Sequence, residues 1–310
     1  MERKSLGLYN NAACQYIWRN RYLYILLLPC VIYFIIFNYV PMYGLILAFK
    51  DFKFSRGIFG SPWVGFENFK YLFGLDRFYE VLKNSLFLSG LKLLFYFPIP
   101  IVLALAMNEI PFIFYKRTSQ TLIYLPYFIS WVVIGGILLN LLSPMWGPVN
   151  AIIKSLGGDA VFFMGDAKYF RGIAIVSNIW KNAGWDTIIY LAAVTSIDPE
   201  LYQAATIDGA SRLQRIWYIT LTGIRATIVI LLLLNIGNIL NNGFEQIFIL
   251  QNGSNILVSE VFETYTYRLG LINGRFSFAI TVGFFSSIVG FTLLIIANAV
   301  AKLMGEKGIF

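Results

Sequence analysis

Two stretches of the chain carry side chains able to recognise a polar ligand within otherwise apolar surroundings. In the first, Asn178, Asn182 and Trp185 recur at helical spacing and make one polar and aromatic stripe, with Lys181 and Asp186 beside it. In the second, Asn235, Asn238, Asn241, Asn242 and Glu245 interrupt a long aliphatic run. A carboxamide both donates and accepts hydrogen bonds, and an indole face packs on the apolar face of a pyranose ring, so this chemistry suits a carbohydrate. The same amides serve equally for hydrogen bonds between neighbouring helices, and the residues alone leave both readings open. The cations are similarly open. Lys181 and Asp186 can neutralise each other while Lys92 snorkels to a surface, or Lys92 and Lys181 can offset the carboxylate of an acidic sugar.

The absences exclude much other chemistry. There is no histidine among the 310 residues, so the chain offers neither an imidazole metal ligand nor the usual proton shuttle or triad base. Cys14 and Cys30 flank the start of an apolar run, which suits neither a disulfide nor a metal pair. The carboxylates are scattered, which argues against a membrane-embedded enzyme. No Gly-x-x-x-x-Gly-Lys-Ser/Thr loop occurs, so any ATP is bound by another chain. Neither catalytic residues nor a metal nor a cofactor is expected here.

Such polar groups must be positioned by helices in a bilayer, because the chain is 58% hydrophobic and only 13% charged. A spanning helix needs roughly 20 mostly apolar residues. Six runs meet this: 22–49, 84–108, 119–142, 172–196, 224–250 and 278–301. An even number puts both termini on one side. The first run is too long for the apolar region of a signal peptide and lacks a small-residue cleavage site, so it reads as a retained helix. The net charge of +8 is spread over the loops between runs, which fits a membrane surface rather than nucleic acid. Lys and Arg are evenly divided between the two sides, but Arg19, Arg21 and the Lys116-Arg117 turn lie against helix ends and favour a cytoplasmic N-terminus.

The expected organisation is all-α. An interfacial N-terminal segment occupies 1–21, with a basic and aromatic surface helix over 8–21. A six-span domain occupies 22–301, and a cytoplasmic tail occupies 302–310. The loop 50–83, with Trp63, Phe66, Phe69, Tyr71 and Phe73, and the loop 143–171, with its Ser143-Pro144-Met145-Trp146-Gly147-Pro148 turn cluster and Gly157-Gly158, read as short helices at the outer interface.

The polar interruption 197–223 between the fourth and fifth runs has clear local signals. Asp198 can cap a helix whose first residue is Pro199, Asp208-Gly209 stops it, and Ser211 with Gln214 makes a capping box for a second helix. On that second helix Leu213, Ile216, Trp217 and Thr220 fall on one face, an apolar knob that needs either a partner groove or a seat on this chain's own helix ends.

This segment resembles the EAA loop of the membrane subunits of bacterial ABC importers, in which Glu-Ala-Ala is followed after three residues by Gly and after nine more by Ile-x-Leu-Pro. Here it reads Gln203-Ala204-Ala205, Gly209 and Ile219-Thr220-Leu221-Thr222, with the Asp208-Gly209-Ala210 core of the sugar-transport branch. Gln203 and Thr222 depart from the pattern and leave its spacing intact. The stretches 39–52 and 64–73 and the six-run layout are similar to the maltose-type permeases for complex oligosaccharides. The resemblance implies a type I permease fold and an importer in which two permeases, different chains by the family's habit of heterodimers, enclose a pathway.

By the same resemblance two ATPase subunits, which hold the ATP and Mg, dock on the cytoplasmic elbows, and an extracytoplasmic binding protein delivers the sugar. The coupling contacts would be Gln203, Ala204, Ala205, Asp208, Gly209, Ala210, Leu213, Ile216, Trp217, Ile219 and Leu221. Asn178, Lys181, Asn182, Trp185, Asn235, Asn238 and Asn242 would line the sugar path. The location implied is the bacterial cytoplasmic membrane, with both termini inside. An ion-coupled secondary sugar transporter is the alternative, and it gives no reason for the elbow or for the missing inverted repeat.

Overall fold

The computed structural model describes residues 15–305, 308 and 309, which are almost entirely helical; the only β pairing among them is a single bridge between Lys50 and Trp63. Three helical runs are long and apolar enough to cross a membrane: α1 (Arg21–Phe49), α3 (Asp76–Asn108) and, last in the chain, α13 (Phe276–Leu303). Between α1 and α3 lies the short α2 (Glu67–Phe73). The first 14 residues lie outside the described part, and with them Cys14 and the start of the expected surface helix; residues 15–19 are helical and exposed. Residues 306, 307 and 310 of the tail are outside it as well.

Two of the expected spans are broken rather than straight. The run 119–142 becomes α4 (Ile113–Phe128) and α5 (Trp131–Leu141), bent by 98°. Pro126 sits in a closing 3-10 turn, and the Ser130 hydroxyl caps the next helix by accepting from the Val133 N–H. The run 224–250 becomes α10 (Arg225–Gly237) and α11 (Phe244–Leu250), separated by an irregular segment that ends at Gly243, whose φ of +83° is one that a side chain would resist. Two bent pairs, α4 with α5 and Arg212–Gly223 with α10, are apolar enough to count as one span each, which brings the apolar crossings among the described residues to as many as five.

The remaining long helix, α7 (Ala167–Thr195), has 29 residues but carries Lys168, Arg171, Lys181 and Asp186, so it is long enough to cross without being apolar enough by composition. It is also well enclosed. Phe170, Ala174, Ser177, Lys181, Ala183, Gly184, Thr187, Tyr190, Leu191 and Val194 are all buried, and a core of Ala104, Met107, Tyr190 and Leu191 joins it to the end of α3. One face of the helix thus packs on protein and need not match the lipid, which explains why buried Lys181 is tolerated there.

The other elements frame this helix. The loop 143–171 holds α6 (Pro148–Ser155), whose Asn150 is buried and bonds the carbonyls of Leu142, Ser143 and Val161. A second core at one end unites α2, α3, α12 (Phe262–Tyr267) and α13 through Leu72, Phe78, Val81, Phe262, Tyr265, Phe278 and Val282. Close by, Glu260 is almost fully buried and bridges Arg77 at 2.5 Å and Arg268. Where α10 meets α13, a side chain on Gly290 would lie 2.6 Å from the Gly237 carbonyl, so the two backbones approach as small residues allow. The elbow is formed by α8 (Pro199–Ile207) and α9 (Arg212–Gly223).

Candidate functional site

The helix α3 turns three polar side chains, Ser89, Lys92 and Tyr96, toward one side, at positions i, i+3 and i+7. Opposite them stand Asn178 of α7 and the break in the fifth run, and together these line a cavity of about 260 Å³ with Asn235, Asn238, Asn241 and Asn242. Four of the seven residues expected on a sugar path therefore face one space: Asn178, Asn235, Asn238 and Asn242. Asn235 and Asn238 also return a hydrogen bond each to the carbonyls of Leu231 and Leu234, one turn back, and remain exposed.

The cavity wall is held by the groups that the broken helix leaves free. Buried Asn242 donates from Nδ2 to the Ser85 carbonyl at 3.3 Å, and its Oδ1 lies 3.0 Å from the Ser89 hydroxyl, which also bonds the Ile239 carbonyl. Lys92 Nζ donates to the Asn242 carbonyl at 2.6 Å and to Gln246 Oε1 at 2.9 Å. Gln246 in turn donates to the Ala174 carbonyl and the Ser177 hydroxyl, tying α11 to α7. From the other side, Glu263 Oε1 accepts from the backbone N–H groups of Asn242 and Gly243. An ammonium has three donors and two are used here, so Lys92, which lines the cavity, has one to spare.

The other three expected residues are placed differently. Lys181 is buried and makes no pair with Asp186. Its Nζ donates to the carbonyls of Tyr127 at 2.7 Å and Ile129 at 2.5 Å, the groups freed by the 98° bend, with the rings of Tyr127 and Trp131 within 6 Å. Asp186 instead accepts from the Tyr96 hydroxyl. Trp185 stacks on Tyr127 with centroids 4.4 Å apart and is edged by Phe128, so one of its faces is occupied by protein. Asn182 donates to Asn178 Oδ1 at 2.9 Å, orienting that amide behind the cavity.

Ser89, Tyr96, Gln246 and Glu263 were missed in the sequence. The helical spacing of Ser89, Lys92 and Tyr96 within an apolar run was a usable signal for the first two. No local pattern marks Gln246 or Glu263.

The elbow has the caps its sequence implies. Asp198 Oδ1 accepts from the Glu200 N–H, Ala210 N–H returns to the Ala205 carbonyl across Gly209, whose φ is +78°, and both halves of the Ser211–Gln214 capping box are formed. The apolar face is not the simple stripe of the helical wheel. Ile216–Thr220 is a π turn, which rotates Thr220 inward until it is buried against the Tyr202 hydroxyl at 3.0 Å. What stays exposed is Leu213 at 78% and Trp217 at 67%, with Ile207 and Tyr218. This chain therefore leaves its own knob uncovered. Gln203, Ala204, Asp208 and Gly209 are exposed too, while Ala205, Ala210, Ile216, Ile219 and Leu221 are half-buried. Without proline at 222 the helix runs on to Gly223 and then bends by 60° into α10.

Residues 96–306 match the family described as binding-protein-dependent transport system inner membrane component. The polygalacturonan/rhamnogalacturonan transport system permease protein YteP of Bacillus subtilis (strain 168) is 46% identical over 292 residues, covering 94% of this chain and 91% of the relative. Protein LplB of the same organism is 44% identical, covering 94% and 92%. Among solved structures, a chain of a bacterial alginate ABC transporter in complex with an alginate pentasaccharide-bound periplasmic protein superposes with a TM-score of 0.87 at 43% identity, covering 95% of this chain and 99% of that one.

Proposed function

The chain belongs to the family of binding-protein-dependent transport system inner membrane components, and we propose that it forms one half of the pathway of an ATP-driven importer of acidic oligosaccharides. As a member of that family it is a transport permease and not an enzyme; ATP hydrolysis belongs to a separate subunit. The observation that carries the cargo reading is the cavity at the break of α10 and α11, where five amides and one lysine meet. Amides match sugar hydroxyls, and an ammonium in an otherwise neutral wall selects for a carboxylate. The names of the relatives agree, since polygalacturonan, rhamnogalacturonan and alginate all contain uronate units.

In this reading six spans cross the membrane, α7 being the sixth. At 1.5 Å per residue its 29 residues reach about 44 Å, enough for the hydrocarbon core and both interfaces. The elbow α8–α9 lies in the cytoplasm with both termini, and Leu213 and Trp217 seat in a groove of the ATPase. A second, homologous permease closes the other side of the cavity, and an extracytoplasmic binding protein loads it. Movement of the ATPase pushes the elbow, which is covalently continuous with α7 and α10, so the broken fifth span and its cavity move with it.

The test is ATPase activity of the purified assembly in lipid, titrated with binding protein and a panel of neutral and uronate-containing oligosaccharides, beside a Gly209→Asp variant. Stimulation by the uronate series alone, abolished in the variant while the assembly stays intact, is the expected result. Stimulation by neutral sugars only would overturn the acidic cargo. Full stimulation in Gly209→Asp would overturn the coupling role of the elbow.

A further inference from the structure

Glu263 is a half-buried acid whose two carboxylate oxygens differ. Oε1 accepts the Asn242 and Gly243 N–H groups at the end of the broken span, whereas Oε2 is buried with no hydrogen-bond partner. A carboxylate oxygen shut away without a donor is expensive to keep, so its charge needs another source of compensation. The available cation is Lys92. It binds the carbonyl of the same residue, Asn242, whose N–H is held by Glu263, so the two charges face each other across one residue of backbone. They make no direct ion pair: Lys92 is shared between Asn242 and Gln246, and it lines the cavity.

We propose that Glu263 is a specificity-determining residue of the transport site, acting as the resting counter-charge of Lys92 and so setting how strongly the cavity takes a sugar carboxylate. This rests on the reading of the cavity as the cargo site. Glu263 touches no cargo. It lies behind Asn242, and it weakens the attraction of Lys92 for an incoming anion by an amount that depends on the charge of Glu263 and not on its shape. A cavity with Lys92 alone would hold an anion too firmly to release it; with the acid behind it, the net field is moderate and neutral segments of a mixed oligosaccharide still pass.

Gln at position 263 retains a carbonyl oxygen for the Asn242 and Gly243 N–H groups and removes the charge, which makes it the discriminating variant. The measurement is equilibrium binding to the assembled permease and ATPase complex in nanodiscs, without binding protein. The probes are a uronate trisaccharide and its carboxyl-reduced, uncharged counterpart. Glu263→Gln is expected to raise the preference for the acidic probe by on the order of tenfold, from loss of one partly screened charge interaction. Binding of the neutral probe should stay unchanged, and the effect should vanish in a Lys92→Gln background. Equal changes for both probes, or the same effect with Lys92 absent, would overturn the proposal. If the wild type binds only the neutral probe, the acidic cargo is wrong; the role of Glu263 is then still decided, since Glu263→Gln would gain acidic binding if it holds and leave selectivity unchanged if it fails.

Discussion

Lys181 looks in the sequence like a cation lining a pathway, and the structure makes it a strut. Replacing it by methionine keeps most of the stem and removes the ammonium that holds the Tyr127 and Ile129 carbonyls at the 98° bend between α4 and α5. Each hydrogen bond to a charged group contributes about 1.5–3 kcal/mol, so two would give about 3–6 kcal/mol. The buried ammonium itself carries a desolvation penalty that methionine relieves, and this offsets part of the loss. A net destabilisation of about 2–3 kcal/mol remains, since the two carbonyls are left without a donor in an apolar setting. For a chain of this size that corresponds to a fall in apparent melting temperature of roughly 3–5 °C. Thermal unfolding of the assembly in nanodiscs, followed by tryptophan fluorescence, reads this directly. Transport of acidic and neutral sugars should fall together, because Lys181 does not line the cavity. An unchanged melting temperature with a selective loss of acidic transport would refute the reasoning and return Lys181 to the pathway.

Two other changes separate surface from interior. Leu213→Ser combined with Trp217→Ser should leave unfolding of the isolated permease within about 0.5 kcal/mol of the wild type, as exposed positions do, yet abolish co-purification of the ATPase; retention of the ATPase would show that it docks elsewhere. Glu260→Gln leaves Arg77 and Arg268 without their shared carboxylate and should destabilise the fold by about 3 kcal/mol, measured by the same unfolding assay, while ATPase coupling per folded molecule is unaltered; a smaller change, under about 1 kcal/mol, would mean that the two arginines find other partners.

The parts of this protein that were readable from sequence are those settled within a few residues. The caps at Asp198 and Ser211, the stop at Gly209 and the exposed apolar pair Leu213 and Trp217 all depend on neighbours no more than one or two turns away. The amides of the cavity were readable because asparagine in an aliphatic run is expensive wherever it sits. Their division of labour was not. Whether an amide or a lysine serves a ligand or a backbone carbonyl is decided by groups far along the chain: Lys92 meets Asn242 150 residues away, and Lys181 meets Ile129 52 residues away.

The broken spans follow the same rule. A hydropathy window sees 119–142 and 224–250 as continuous, yet Pro126 with the Ser130 cap breaks one and Gly243 ends the irregular break in the other. The carbonyls freed at those breaks are tolerable only because Lys181 and Lys92 come from other helices to bind them. The π turn at Ile216–Thr220 likewise turned one predicted knob residue, Thr220, into the core.

In the proposed mechanism ATP drives an acidic sugar through the cavity beside Lys92. Its most direct test is uptake of a labelled uronate trisaccharide into proteoliposomes holding the whole assembly, supplied with binding protein outside and ATP inside, for the wild type and Lys92→Gln. The account predicts uptake that requires ATP, survives collapse of the ion gradients and falls at least tenfold for the acidic sugar in Lys92→Gln, with any neutral sugar that is carried much less affected. Uptake that follows an ion gradient without ATP, or acidic transport indifferent to Lys92, would contradict it.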